Sequence, residues 1–235
     1  MNLNQEGNNK LSATNLIELI LKKKEGVGQT YANQLLDLLY SGYPVSEIHP
    51  LLTSNDPEIL DLGIWITSEL GELGSELIPY IAPALSSCDA SIRFWAIDSL
   101  ITKVNHPHGE VIATVIFLIN DHDENVRWKV LDFLSRIPIE CFRAARNCDF
   151  PKNNIEYKSG LYFIEKTVHS KRKDINIYDN ITTLIKNKSR TSIFLGAVAA
   201  FRYAKIDERP FLSLKNSSNE EVVSYFNSMY EEVFE

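Results

Sequence analysis

The sequence predicts an all-α protein, an α-α superhelix of about five to six stacked helical pairs. A motif that begins with aspartate occurs three times, at spacings of 33 and 34 residues. Apolar residues follow each aspartate with helical periodicity. No stretch of alternating polar and apolar residues is bounded by hairpin turns, so strands are not expected. A single helical hairpin cannot bury its own apolar face, and repeats of this length therefore stack.

The three aspartates are Asp56, Asp89 and Asp123. Each precedes apolar residues at offsets 3, 7 and 8, and the second and third copies add a leucine at offset 11. Together these offsets form one face of an α-helix, and the aspartate takes its N-cap position. The predicted core positions are Ile59, Gly63 and Ile64; Ile92, Ala96, Ile97 and Leu100; and Val126, Val130, Leu131 and Leu134.

A second apolar stretch precedes each aspartate, at residues 45–52, 76–85 and 110–119, and turn-forming residues separate the helices. The unit is therefore helix, turn, helix. The predicted organisation is one solenoid domain over residues 1–235. Its segments are a flexible tail at 1–10, N-terminal capping helices at 11–44, clear repeats at 45–137, degenerate basic repeats at 138–189 and C-terminal repeats at 190–235.

Residues 89–96 read D-x-x-I-R-x-x-A, with Leu100 beyond them, and residues 123–127 carry a weaker copy. These residues resemble HEAT repeats, and the resemblance covers residues 45–137. It implies that the Asp and Arg of successive repeats form a ladder along the stack. Leu60 stands where the first unit would carry the Arg, so we expect one ladder contact to be missing there.

Charge is distributed unevenly along the chain. Residues 1–140 carry 9 basic and 19 acidic side chains, residues 141–205 carry 13 and 5, and residues 206–235 carry 2 and 7, giving charges of -10, +8 and -5. Such an asymmetry can steer a charged partner toward one region. The basic run at residues 171–173 is typical of a solvated surface.

The HEAT resemblance also implies that the helix after each aspartate lines a concave surface. Offsets 5, 6, 9 and 13 then point into this groove, and all three tryptophans of the chain fall there. Rings rimmed by carboxylates are typical of a protein-binding hot spot, although rings at these positions can also pack between repeats. The candidate partner-binding residues are Asp61, Trp65, Glu69, Phe94, Trp95, Asp98, Trp128 and Asp132.

No strong catalytic motif appears in the sequence, and we expect no catalytic residue, no metal and no cofactor. Residues 26–28 read G-V-G but lack the Lys-Ser/Thr of a phosphate-binding loop. Two histidine-containing clusters, residues 106–108 and 121–123, flank a predicted helix that separates them by roughly 15 Å, too far for one metal ion. The three cysteines have no metal-binding spacing and are expected to be reduced.

Three functions remain open. The preferred one is a non-enzymatic module that binds a basic protein partner, most specifically a bacterial immunity protein that neutralises a toxin such as a nuclease. The second is an alkylpurine DNA glycosylase of the HEAT-like kind, in which a ring and a carboxylate four residues later hold a cationic base. Trp128 with Asp132, and Phe94 with Asp98, have that spacing. The third is a general scaffold.

Location and partner class follow from the same features. The apolar runs are too short to span a membrane, and the N-terminus lacks the pattern of a secretory signal. We therefore expect a cytoplasmic protein without a membrane partner. The acidic first 140 residues also argue against nucleic acid as the partner.

Overall fold

The computed structural model describes residues 11–22, 28–148, 155–170 and 172–234. Within these ranges the chain forms fourteen α-helices and no strand, so the predicted all-α architecture is confirmed. The tail predicted at residues 1–10 lies outside the described residues. The helices are α1 (Ala13–Leu21), α2 (Gly28–Tyr40), α3 (His49–Leu52), α4 (Pro57–Glu69), α5 (Ile78–Ile81), α6 (Ala90–Leu100), α7 (Gly109–Phe117), α8 (Glu124–Arg136), α9 (Ile139–Asn147), α10 (Ile155–His169), α11 (Ile175–Ile185), α12 (Arg190–Tyr203), α13 (Arg209–Ser213) and α14 (Glu220–Phe234).

The repeated aspartates cap α4, α6 and α8, as predicted. Asp56 accepts a hydrogen bond from the N–H of Glu58, and Asp89 accepts one from the N–H of Ser91. Asp123 accepts two, from the second and third residues of α8. Every predicted core position in these helices is buried. The spacing of apolar residues therefore located the core face of all three helices.

The cap of α6 gives a testable stability effect. Replacing Asp89 with alanine leaves the Ser91 N–H without its acceptor, and we expect Asp89→Ala to lower the free energy of unfolding by about 1 kcal/mol. Asp89→Asn retains a side-chain oxygen at the same place and should cost much less. Urea denaturation of both variants checks this, and equal losses would contradict a capping role.

The first helices of the repeats are shorter than predicted. The stretches predicted as helices at 45–52 and 76–85 contain only single α-turns, α3 and α5, joined to 3₁₀ segments. Pro50, Pro79 and Pro83 stand at the starts of these turns. Proline has no N–H to donate and crowds the preceding turn, so a continuous α-helix cannot run through these positions. By contrast, α7 contains no proline and extends for nine residues.

In the N-terminal half, helices pack in the order of the chain. The second helices form one layer, in which α2 contacts α4, α4 contacts α6 and α6 contacts α8. The first helices form the other layer, where α1 contacts α3 and α3 contacts α5. This nearest-neighbour arrangement is the expected organisation of a repeat stack.

The C-terminal half departs from that order, because α14 packs on α8. Arg127 donates two hydrogen bonds to the carboxylate of Glu221, at 2.8 and 2.9 Å. Further along the same pair of helices, the hydroxyl groups of Ser135 and Tyr225 are hydrogen-bonded at 2.6 Å. Helix α14 therefore continues the layer of second helices after α8, and residues 137–219 are inserted between these two neighbours.

Helix α12 packs against both α8 and α14. It contacts α8, α10, α11, α13 and α14, and most of its residues are buried. Near its end, the guanidinium of Arg202 donates hydrogen bonds to the backbone carbonyls of Leu134, Ser135 and Ile137. These carbonyls lie at the C-terminal end of α8, where the helix offers them no internal partner. Arg202 thus joins the inserted segment to the repeat stack.

Across the described parts of the chain, no helix combines the length and the apolar character that are needed to cross a lipid bilayer.

Candidate functional site

Two pockets lie on either side of the first turn of α8. The α8/α14 pocket has a volume of about 510 Å³ and the α6/α8 pocket one of about 380 Å³; Asn125 lines both. The α8/α14 pocket is lined by Glu124, Asn125, Trp128, Leu131, Asn219, Glu220, Glu221 and Ser224. The α6/α8 pocket is lined by Ala90, Ser91, Phe94, Trp95, Asp123 and Asn125.

Three of the predicted aromatic residues line these pockets because of their distance from the N-caps. Phe94 and Trp95 stand five and six positions after Asp89, and Trp128 stands five positions after Asp123. All three rings are half-buried. Phe94 and Trp95 meet edge to face with their ring centroids 5.2 Å apart, which fixes both rings against each other.

Below the rings lies the buried ammonium group of Lys129, which stands six positions after Asp123, at one of the offsets predicted to face the groove. The side chain of Lys129 is 9% exposed, and its Nζ lies 2.7 Å from Asp98 Oδ1 and 3.2 Å from Asp132 Oδ2. The same Nζ lies over the rings of Phe94 and Trp128, at 4.8 and 5.1 Å from their centroids. One cation therefore links α6 to α8 under the aromatic surface.

The prediction that Asp132 points into the groove is wrong. Asp132 is only 4% exposed, and besides Lys129 it accepts a hydrogen bond of 2.5 Å from Arg136 Nε. The apolar offsets do not show this because Lys129 and Arg136 turn toward Asp132 on the same helix. Asp98 is half-buried and is also paired with Lys129. Neither carboxylate presents a free negative charge to a partner.

The same contacts bear on the glycosylase alternative. A ring with a carboxylate four residues later was expected to attract the cation of a damaged base. In the structure, Lys129 of the chain itself already occupies this position in both pairs. Its ammonium group lies over the rings of Phe94 and Trp128, and it is ion-paired with Asp98 and Asp132. The glycosylase alternative therefore loses the open site that suggested it.

The three candidates on α4 line neither pocket. Asp61 accepts a hydrogen bond of 2.9 Å from the hydroxyl of Ser91. Burial raises the pKa of Asp61 above its ordinary value, with a further contribution from Asp89, and the Ser91 hydrogen bond offsets part of this. Trp65 is half-buried and packs against the core, whereas Glu69 is exposed.

Sequence reasoning missed the contribution of α14. Glu220, Glu221 and Ser224 line the α8/α14 pocket, although they lie more than 90 residues from Trp128 in the chain. A signal for them does exist, since Asn219 caps α14 through the N–H groups of Glu221 and Val222, much as Asp123 caps α8. Counted from Asn219, Ser224 stands at the same offset as Trp128. What the sequence did not show is that α14 lies next to α8.

The predicted ladder exists in altered form. The guanidinium of Arg93 pairs with Asp121 through two hydrogen bonds of 2.8 and 2.6 Å, and not with Asp123, whose carboxylate caps α8. The next rung joins Arg127 to Glu221 in α14. Each arginine also donates to two carbonyls of the turn before its own helix. The rungs therefore hold successive helices of the second layer in register.

The first rung makes stability depend on pH. Burial alone would raise the pKa of Asp121, but the hydrogen bonds and charge of Arg93 and the N–H of Asp123 lower it below its ordinary value. Such a carboxylate stabilises the fold above its unfolded-state pKa of about 4, and this contribution is lost as pH falls through the folded-state pKa.

We therefore expect Asp121→Asn to be less stable than the wild type by about 2 kcal/mol at neutral pH, because the guanidinium of Arg93 loses its charged partner. The variant should also lose less stability between pH 7 and pH 3, since it lacks the titrating group. Urea denaturation across this range checks both effects. Asp179→Asn, which changes an exposed carboxylate on α11, is the matched control and should follow the wild type. An unchanged acid sensitivity in Asp121→Asn would contradict this assignment.

The cysteines and histidines do not assemble a metal-binding group in the described part of the chain. Burial raises the pKa of the Cys141 thiol to about 11, so it is protonated at neutral pH. His108 accepts a hydrogen bond at Nδ1 from the N–H of Asn105. No group of three or more His, Cys, Asp or Glu side chains there has the arrangement of a metal site.

Basic side chains concentrate on the inserted helices. Arg143 and Arg146 of α9 pair with Glu165 of α10, while Lys186 and Lys188 are exposed after α11. The charge asymmetry seen along the sequence thus separates the basic inserted helices from the acidic pocket formed by α8 and α14.

The described geometry can be compared with that of known proteins. No protein-family profile matches the chain, and no curated protein matches it significantly. An archaeal HEAT-like repeats protein from Thermococcus onnurineus NA1 is similar over 96% of this chain and 98% of its own, with 15% identity and a TM-score of 0.54. An engineered protein is similar over 93% and 96%, with 13% identity and a TM-score of 0.48. The chain has the fold of a HEAT-like repeat protein.

Proposed function

We propose that the protein is a non-enzymatic protein-binding module whose binding surface consists of the α6/α8 and α8/α14 pockets. The observation that carries this proposal is the position of Trp95, Phe94 and Trp128, which line two adjacent pockets instead of lying wholly in the core. Large rings in concave, partly desolvated places contribute most of the binding energy at protein interfaces. This surface has such rings at its centre and polar groups around them.

The charge of the surface favours a basic partner. Glu124 and Glu220 are exposed at the edge of the α8/α14 pocket, and the basic side chains nearby, Lys129 and Arg127, are already paired with acidic groups. Exposed carboxylates accelerate the encounter with a positively charged protein and disfavour acidic ones. In this proposal the partner is steered by Glu124 and Glu220, since Asp98 and Asp132 are paired with Lys129.

Within this proposal, the partner that we favour is a basic toxin domain, and the protein acts as its inhibitor. The motivation is the complementarity between an acidic surface and the cationic active site of a nuclease, since covering that site prevents catalysis. A general scaffold would use the same pockets without inhibiting its partner. Inhibition of a toxin encoded beside this gene, measured in vitro with the purified chain, separates these two forms of the proposal.

Affinity purification of the full chain from its native cells tests the proposed function. We expect a basic protein to co-purify at equal stoichiometry and to dissociate as the salt concentration rises. Its affinity should fall about a hundredfold in the double variant Trp95→Ala, Trp128→Ala, because both pockets lose their rings. Unchanged affinity in this variant would show that the partner binds elsewhere and would overturn the assignment of the surface.

A matched control removes two rings that line neither pocket. Tyr80 and Tyr162 are exposed, at 41% and 42%, on α5 and α10. The double variant Tyr80→Ala, Tyr162→Ala should therefore bind the partner like the wild type.

A separate assay tests the non-enzymatic assignment. Release of methylated purines from alkylated DNA by the wild type, abolished in Asp132→Asn, would contradict it.

A further inference from the structure

We infer that the two pockets take neighbouring side chains of one extended segment of the partner, a basic side chain in the α8/α14 pocket and an apolar one in the α6/α8 pocket. This inference rests on the proposed function and specifies the chemistry of the partner. It follows from the different lining of the two pockets and from the short distance between them.

The α8/α14 pocket has the lining of a site for a basic side chain. Trp128 and Leu131 supply an apolar wall, and Glu124 and Glu220 are exposed at its edge. The described residues that line it include no lysine or arginine. An arginine or lysine of the partner can lay its aliphatic stem on the indole ring while its charged head meets the carboxylates. Glu221 is held by Arg127 and keeps the two walls of the pocket together.

The α6/α8 pocket offers little free charge. Its walls are the rings of Phe94 and Trp95 together with Ala90. Among the described residues that line it, the one carboxylate is that of Asp123, which already accepts two hydrogen bonds from the backbone of α8. An apolar side chain therefore gains ring contacts here, whereas a charged one would find no unengaged partner of opposite sign.

The distance between the pockets suits an extended segment. Lys129 Nζ lies 4.8 Å from the ring centroid of Phe94 and 5.1 Å from that of Trp128, so the two rings are at most about 10 Å apart. In an extended chain, side chains two residues apart point to the same side and are about 7 Å apart. A helix, about 10–12 Å wide with its side chains, is too broad to enter pockets between helices packed about 8–10 Å apart.

Short synthetic peptides with blocked ends test this inference on the full chain. The probe is Gly-Arg-Gly-Leu-Gly, and the comparison peptides replace its arginine with glutamate or its leucine with serine. Binding is followed up to about 10 mM by the indole N–H signals of the three tryptophans in ¹⁵N-labelled protein, since a free peptide of this size binds with at most millimolar affinity. Assignment of each signal uses the corresponding Trp→Phe variant.

We expect the Arg/Leu peptide to shift the signals of Trp95 and Trp128 and to leave that of Trp65 in place, because Trp65 lines neither pocket. The double variant Glu124→Gln, Glu220→Gln should bind this peptide about fivefold more weakly, the effect of losing two exposed ion pairs. Glu231→Gln, an exposed change at the other end of α14, should not alter the affinity. The peptide with glutamate should bind more weakly than either of the other two.

Three results would overturn the inference: no shift of Trp128, equal binding of the glutamate peptide, or equal shifts of all three tryptophans. Failure here is distinguishable from failure of the proposed function. Should the co-purified partner still depend on Trp95 and Trp128 while no peptide binds, the proposed function stands and the extended-segment inference alone is wrong.

Discussion

Replacing Arg202 with methionine should lower the free energy of unfolding by about 3 to 4 kcal/mol. The guanidinium donates to three backbone carbonyls at the end of α8 and lies 5.0 Å from the ring centroid of Phe142. Methionine preserves much of the apolar stem but donates no hydrogen bond. The carbonyls of Leu134, Ser135 and Ile137 would then be left without a donor next to buried apolar residues.

Arg190→Met provides the matched control for this experiment. Arg190 is the first residue of the same helix, is exposed, and stands at an N-terminus, where a positive charge opposes the helix dipole. The substitution there should be neutral or slightly stabilising. Chemical denaturation monitored by circular dichroism compares the two, and a similar small change in both would show that Arg202 does not hold α12 to α8.

Replacing Gly196 with valine should lower the free energy of unfolding by about 3 kcal/mol, because α12 lies close against α11 at this glycine. A Cβ atom at position 196 would lie 2.8 Å from Leu184 Cβ and 2.9 Å from the backbone nitrogen of Ile185. A side-chain tip can move aside, but a backbone atom within α11 cannot move without displacing the helix. The gain in helix propensity on losing a glycine, about 1 kcal/mol at most, does not offset this strain.

Gly28→Ala is the control for this second substitution. Among the described residues, a Cβ atom at position 28 would meet Leu62 Cδ2 alone, at an ordinary contact distance of 3.7 Å. Gly28→Ala should therefore be neutral or stabilise the protein. Thermal denaturation of both variants measures the difference, and a loss of similar size in both would mean that helix packing at Gly196 is not the cause.

The sequence predicts best those features of the repeats that depend on contacts within a single helix. The cap at Asp89 and the buried face through Ile92 and Ala96 depend only on residues within one helix, and both are as expected. The first helices of the repeats were less predictable. In the second repeat, for example, Pro79 and Pro83 break the predicted helix into short turns. Apolar periodicity alone does not distinguish a continuous helix from successive short ones.

The candidate site was predicted in part for the same reason. The offset from the N-cap singled out Trp95 and Trp128, which line the two pockets, since this offset is a property of one helix. The burial of Asp132 depends on Lys129 and Arg136, whose long side chains can turn toward the core or toward solvent. The position of Glu220 depends on the packing of α14 against α8. More than 80 residues with no clear repeat separate these two helices in the chain, so the sequence pattern does not show that they are neighbours.

The insertion between α8 and α14 also determines the order in which the binding surface can be completed. During synthesis, α6 and α8 are both complete long before α14, so the described residues of the α6/α8 pocket are all present early. The α8/α14 pocket has to wait for residues 219–224, which follow α8 by more than 80 positions. A fragment of residues 1–218 contains Phe94 and Trp95, but it lacks Glu221, the partner of Arg127, and the wall of α14 opposite Trp128. Only a chain that includes α14 can therefore present the acidic half of the surface.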